Sequence, residues 1–176
     1  MTRTPRHSES GFTLIELLVV ITIVVVLGGV GFAIGKTVLG RSREAACLGN
    51  LRSLGVALES YLQDNNQTLP TLAAGRTSKE DDKPVLETIL LPYVENPEAF
   101  HCPQDHEQFK KSGSSYLWNS TQNGLKTSEL KFFGIEDRPD KIPLITDKEA
   151  WHPSGTNFLY ADQTSSNKPR FATGNR

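Results

Sequence analysis

Residues 11–35 read GFTLIELLVVITIVVVLGGVGFAIG. A glycine precedes Phe12, and about 24 almost wholly apolar residues follow, with one acid, Glu16, close to their start. At 1.5 Å of rise per residue such a helix is about 36 Å long, enough for a hydrocarbon core of about 30 Å. An ionised side chain deep in a bilayer costs roughly 2.5–3.5 kcal/mol on insertion scales unless it is paired. Glu16 therefore either lies near the membrane surface and reaches water, or it is kept for a partner. A secretory signal peptide usually has a shorter apolar region, with a small-residue cleavage site at its far end. Here the glycine comes first, so a cut after it would leave the span in the mature chain.

Arg3, Arg6 and His7 precede the run, and Lys36, Arg41 and Arg43 follow it. Basic residues at both ends orient a span only weakly. The whole chain has 176 residues and a formal net charge of −1. That length predicts about one domain, and near-neutrality argues against a nucleic-acid binder held by phosphate contacts. Four parts follow. Residues 1–11 are a polar leader, 12–35 a membrane helix, 36–66 its amphipathic continuation into water, and 67–176 a small head.

The third part has Leu48, Leu51, Leu54, Leu58, Tyr61 and Leu62 at three- and four-residue spacing, with Val56 and Ala57 alongside. Arg41, Arg43, Arg52, Glu59 and Asp64 take the other side. Asn65, Asn66 and Pro70 are expected to end the helix. The apolar stripe predicts the surface on which the head packs. In the head, residues 85–94 read as a short helix ending near Pro92, and residues 75–83 as a charged loop. Tyr116–Trp118, Ile142–Thr146 and Asn157–Ala161 are strand candidates, aromatic or β-branched and bounded by turn residues. Residues 163–176 read mostly as a polar tail, with Phe171 its one large apolar residue.

Residues 11–22 resemble the cleavage and methylation motif of type IV prepilins and type II secretion pseudopilins. The resemblance implies removal of residues 1–11 by a prepilin peptidase, with Gly11 before the cut, followed by N-methylation of Phe12. It also supplies a partner for Glu16. The freed amine of Phe12 is cationic at neutral pH and can meet Glu16 of a neighbouring subunit during assembly. REAACLGNLRSLGVALESY at 43–61, FHCPQD at 100–105 and SYLWN at 115–119 resemble segments of a bacterial pseudopilin-like group. HPSGTNFLYADQ at 152–163 is similar to its C-terminal signature, a histidine, nine residues, then Asp-Gly; Gln163 stands where the signature has glycine. Many relatives carry a proline where this chain has Ala33. Gly31 and Gly35 instead form a small-xxx-small pair that lets helices approach closely, although glycine is also simply common in membrane helices.

Cys47 and Cys102 both lie beyond the span, in what the resemblance makes an oxidising periplasm. A disulfide is expected there, joining the long helix to the Phe100–Pro103 turn; two buried thiols are the alternative. His101, Cys102, Asp105 and His106, with Cys47 added, invite a zinc reading. They match no recognised zinc spacing, and a disulfide would consume both thiolates. No cofactor is expected. Calcium, which some major pseudopilins bind in a C-terminal loop, is the lesser reading through Asp147 and Asp162. Without a dense run of oxygen ligands, the two aspartates are read as turn caps. His152 and Asp162 could suggest acid–base catalysis, but no nucleophile elbow accompanies them. Trp118 and Trp151 are read as core aromatics.

These readings converge on an α+β fold, a long N-terminal helix packed on a small head with a short antiparallel sheet. The expected function is structural, not enzymatic. Subunits wait in the bacterial inner membrane, single-pass, with the head in the periplasm, then polymerise with identical subunits and minor pseudopilins. Membrane lipid, prepilin peptidase, an assembly platform and its ATPase are the implied partners, and no nucleic acid is expected. A type II secretion pseudopilin is favoured over a type IV pilin serving adhesion, motility or DNA uptake. A membrane-tethered periplasmic binding module or enzyme is the reading from a different class.

Overall fold

A single helix, α1, runs over Leu14–Asp64. The computed structural model of the chain describes residues 12–171, without the side chains at 30–34 and 36. The chain divides after Leu39 into two compact units.

In the first unit, every described large apolar side chain from Phe12 to Leu27 is exposed, Phe12 and Leu14 to 85%. Among the described residues no helix is long and apolar enough to cross a membrane. From Leu14 to Gly29 the helix is about 24 Å long at 1.5 Å per residue, and described apolar side chains resume at Val38 and Leu39. The expected span continues to residue 35, and the side chains at 30–34 are outside the described ones.

The second unit begins at Gly40. There α1 buries Cys47, Leu51, Leu54, Ala57, Leu58 and Leu62, the three- and four-residue recurrence of a one-faced helix. Val56 does not belong with them: it is 69% exposed. At 100° per residue it stands about 200° around the helix from Leu54, on the opposite face. Leu48 and Tyr61 are half-buried at the edges of the stripe. The helix ends where Asn66 (φ 52°) and Gln67 (φ 59°) turn left-handed, and the Gln67 N–H bonds the Leu62 carbonyl at 2.8 Å.

Two short helices, α2 (Leu86–Leu90) and α3 (Gln108–Ser112), precede or flank the sheet. Pro92 does not stop α2 but sits in a 3-10 turn, Leu91–Tyr93, that extends it; near the start of a helical turn a missing N–H costs little. The main sheet has strands β1 (Tyr116–Trp118), β4 (Pro143–Asp147), β5 (Phe158–Tyr160) and β6 (Ser165–Ser166), all antiparallel in the order β1-β4-β5-β6. The strands β2 (Lys131–Phe132) and β3 (Ile135–Glu136) make a separate hairpin. The register pairs Tyr116 with Asp147 and Trp118 with Ile145, and Ile145 in turn with Leu159.

Leu51, Leu54 and Leu58 of α1 join Phe100, Tyr116, Trp118, Leu144, Ile145 and Leu159 in one core. Gly55 makes the closest approach. A Cβ there would stand 3.2 Å from a Leu159 methyl and 2.8 Å from the Gln163 amide oxygen, so only glycine lets β5 come this near the helix. Trp118 is buried, and its indole donates to Asn123 Oδ1 at 2.7 Å. Trp151 is only half-buried at the core margin, its indole N–H facing Glu149 at 3.2 Å, so it is not the core aromatic expected.

The expected polar tail is also corrected. Residues 165–166 add β6 to the sheet, and the Phe171 ring meets Phe132 and Phe158 edge to face at 5.6 and 5.5 Å. Residues 172–176 lie outside the described part.

Candidate assembly and processing site

The first turn of α1 carries the motif. Thr13 precedes Leu14 as the N-cap. Its backbone N–H and its hydroxyl both donate to Glu16 Oε2, at 2.8 and 2.7 Å, and its hydroxyl oxygen accepts the Glu16 N–H at 3.3 Å. These reciprocal bonds form a capping box, which satisfies backbone donors the first turn would otherwise leave open. The Thr-x-x-Glu spacing signals it in the sequence, and the sequence reading passed over it. Glu16 thus has a local task besides any partner: its carboxylate sits at the positive end of the helix dipole.

Phe12, Ile15, Glu16, Val19 and Val20 line one shallow apolar face. Their spacing is that of neighbours on adjacent turns. Gly11, the residue before the expected cut, lies outside the described residues. Gly35 has no neighbouring atom within 4 Å of its Cβ position, so within one chain nothing occupies that close-approach surface. The described side chains do not include residue 31, so the Gly31 half of the pair falls outside them.

In the head, Cys47 and Cys102 are joined by a disulfide, with Cα atoms 5.0 Å apart. Both are fully buried. His152 Nε2 stands 3.4 Å from Cys102 Sγ and 3.3 Å from Asp147 Oδ2. Asp147 also accepts the Asn157 N–H at 2.7 Å. Burial pushes the Asp147 carboxyl above the ordinary carboxylate range, against the opposing pull of His152 and the Asn157 amide. Glu44, which the amphipathic reading did not single out, is buried one turn before Cys47 and accepts from Ser154 and Asn167. Burial alone would raise its pKa, but these bonds, with nearby His152 and Arg41, bring it below the ordinary value.

The partner of His152 is therefore Asp147, not Asp162. Asp162 instead caps the turn after β5, accepting the Thr164 N–H at 3.0 Å and its hydroxyl at 2.6 Å. Of the two aspartates in the lesser calcium reading, Asp147 lies at the end of β4 beside the start of β5 and Asp162 in the turn after β5. The zinc reading of residues 101–106 comes apart. His101 faces Glu98 and the Asp105 carbonyl, each at 3.2 Å. Asp105 is occupied by three backbone N–H groups and the Ser115 hydroxyl, and His106 is exposed.

A head tied by a disulfide to a long helix, whose other half is apolar, exposed and opened by a Thr-x-x-Glu cap, defines a pilin-like α+β fold. Residues 6–32 match the family described as the prokaryotic N-terminal methylation motif, which supports a type IV pilin-like substrate of prepilin peptidase. Comparison with curated proteins and with solved structures finds no match.

Proposed function

We propose that the chain is a structural subunit of a type II secretion pseudopilus. It is processed after Gly11, N-methylated on Phe12, and polymerised through its N-terminal helix to drive protein export. The carrying observation is the first half of α1. A row of exposed apolar side chains, Phe12 to Leu27, broken only by Thr13, Thr22 and the acid at its capped end, cannot remain in water. Exposed apolar area of this extent marks an interaction surface. Lipid covers it before assembly and the helices of other subunits after it.

In this reading residues 12–35 are the single membrane span, the head lies in the periplasm, and an assembly platform with its ATPase extracts the subunit. Minor pseudopilins are further partners. The chain works without catalysis, and its head belongs to the group with the histidine, nine-residue, Asp-Gly signature. Gly31 and Gly35 would admit close helix approach in the filament.

The test is Gly11→Leu. The bulky side chain is expected to block processing, so the variant keeps the mass of residues 1–11 and is absent from sheared or purified filaments, while the head still folds and forms its disulfide. Normal cleavage and incorporation of Gly11→Leu would sink the reading. Surface filaments with undisturbed export would reassign the subunit to a type IV pilus.

A further inference from the structure

The hairpin of β2 and β3 closes on a two-residue loop, Phe133-Gly134, and both residues have positive φ, 47° and 77°. Positive φ at both central residues is the mark of a type I′ turn, whose first place usually holds asparagine, aspartate or glycine. A bulky side chain in that backbone conformation is a genuine outlier. Burial does not repay the strain. Phe133 is 91% exposed, and its ring meets that of Phe132 edge to face at 4.6 Å. A strained residue that presents a large apolar ring to solvent points to a use outside its own chain.

Beside this knob lies a hole. The register aligns Leu117, Thr146 and Phe158 in one row across β1, β4 and β5. Strand alternation turns them away from the face on which Trp118, Ile145 and Leu159 enter the core. All three are half-buried. With Phe132, Pro143 and Phe171 they line a depression of about 240 Å3 whose walls are almost wholly apolar. Small-molecule pockets run to about 300–1,000 Å3, so this one has the size of a single side chain. Three of its walls are phenylalanine rings, which favour edge-to-face contact with a further ring.

We propose that this patch pairs two copies of the chain: their heads meet about a two-fold axis, and Phe133 of each enters the depression between Leu117, Phe158 and Phe171 of the other. The chain itself supplies both halves of the contact. Phe132 lines the hole and Phe133 follows it directly, so knob and hole adjoin, as a self-complementary two-fold patch requires. The charges agree. Lys131 and Glu136 are register partners across the hairpin, both exposed, and form no ion pair with each other among the described residues. Rotation about an axis perpendicular to the hairpin sets each of these charges opposite the other kind. The proposed membrane anchorage would raise the local concentration of heads, but the contact itself needs neither processing nor a filament.

The unprocessed full chain in detergent is therefore the sample, and failure here leaves the filament reading standing. Light chains with the photoreactive aromatic p-benzoylphenylalanine in place of Phe133 are mixed with heavy-isotope chains and irradiated. Mass spectrometry should find light–heavy adducts from position 133 to Leu117, Thr146, Phe158 or Phe171. Thr146→Lys in the heavy chain puts a charged stem in the hole and should cut their yield at least about tenfold. Phe133→Asn suits the turn, so it should raise the melting temperature of the head while weakening self-association in sedimentation at least about tenfold. Adducts confined to detergent, to a single chain (residues 172–176 included) or to another surface of the second copy overturn the proposal. So does an undiminished yield with a folded Thr146→Lys acceptor, or a Phe133→Asn chain that associates like the wild type.

Discussion

Asp105 organises the turn that carries Cys102. Its carboxylate accepts the N–H groups of Glu107, Gln108 and Phe109 at 2.9, 2.7 and 2.8 Å, and the Ser115 hydroxyl at 2.6 Å. Burial alone would raise its pKa, but these four donors together hold it below the ordinary value. Lys148, Tyr116 and Glu107 are the titratable groups that feel its charge. A carboxyl depressed by folding contributes stability that is complete above its unfolded pKa, about 3.9, and is lost as pH falls through the folded value. Asp105→Asn is therefore expected to cost about 2–3 kcal/mol at neutral pH and to flatten the decline in stability below about pH 4. Urea unfolding at a series of pH values measures both; a wild-type slope in the variant would refute the assignment. Gln163 is a different kind of residue-scale fact. It has φ 64° in the turn joining β5 to β6, with its N–H on the Tyr160 carbonyl at 2.9 Å, a position that favours glycine. The glycine of the resembling signature has this physical reason, and the departure costs strain. Gln163→Gly should raise stability by about 1 kcal/mol in thermal or urea unfolding.

Among the elements, the disulfide determines how firmly α1 is held to the rest of the head. It closes a sequence separation of 55 residues, which in the chain-entropy model is worth about 4 kcal/mol. The double variant Cys47→Ser, Cys102→Ser should lose about that much in urea unfolding with the far-ultraviolet helix signal retained at low denaturant. What the sequence made legible at this scale follows from how each element is signalled. The stripe on α1 was readable because Leu51, Leu54, Leu58 and Leu62 repeat with the helix period. The three strands β1, β4 and β5 were readable because aromatic and β-branched runs end at turn residues. β6 was not, since Ser165 and Ser166 join the sheet through backbone bonds that carry no side-chain signature. Val56 was misplaced because an apolar residue beside a stripe looks like part of it until its angle is counted. Asp147 and His152 were each visible, but their meeting depends on the β4–β5 register and the loop between, which spacing along the chain does not encode. Glu44 was hidden among charged neighbours, Arg41 and Arg43, that do face outward or nearly so.

At the scale of the whole molecule, Glu16 joins the single chain to the assembly. Within one chain its carboxylate completes the capping box with Thr13. Between chains, in the proposed filament, its charge would meet the amine of a processed Phe12. The two tasks make different demands. A capping box accepts glutamine at the acid's position, because an amide oxygen can take the same N–H. A pairing with an ammonium group requires the charge. Glu16→Gln should therefore leave processing, helix content in detergent and the head disulfide as they are, while filament yield falls at least about tenfold, the effect of roughly 1.4 kcal/mol per added subunit. Thr13→Ala gives the reverse pattern. It removes the cap hydroxyl, worth about 1 kcal/mol of local helix stability, and keeps the charge, so filaments still form. Electron microscopy of sheared filaments, with mass spectrometry of Phe12, reads both variants. If Glu16→Gln assembles as well as the wild type, the acid serves the helix alone and the apolar face of Phe12, Ile15, Val19 and Val20 must set the subunit register without it.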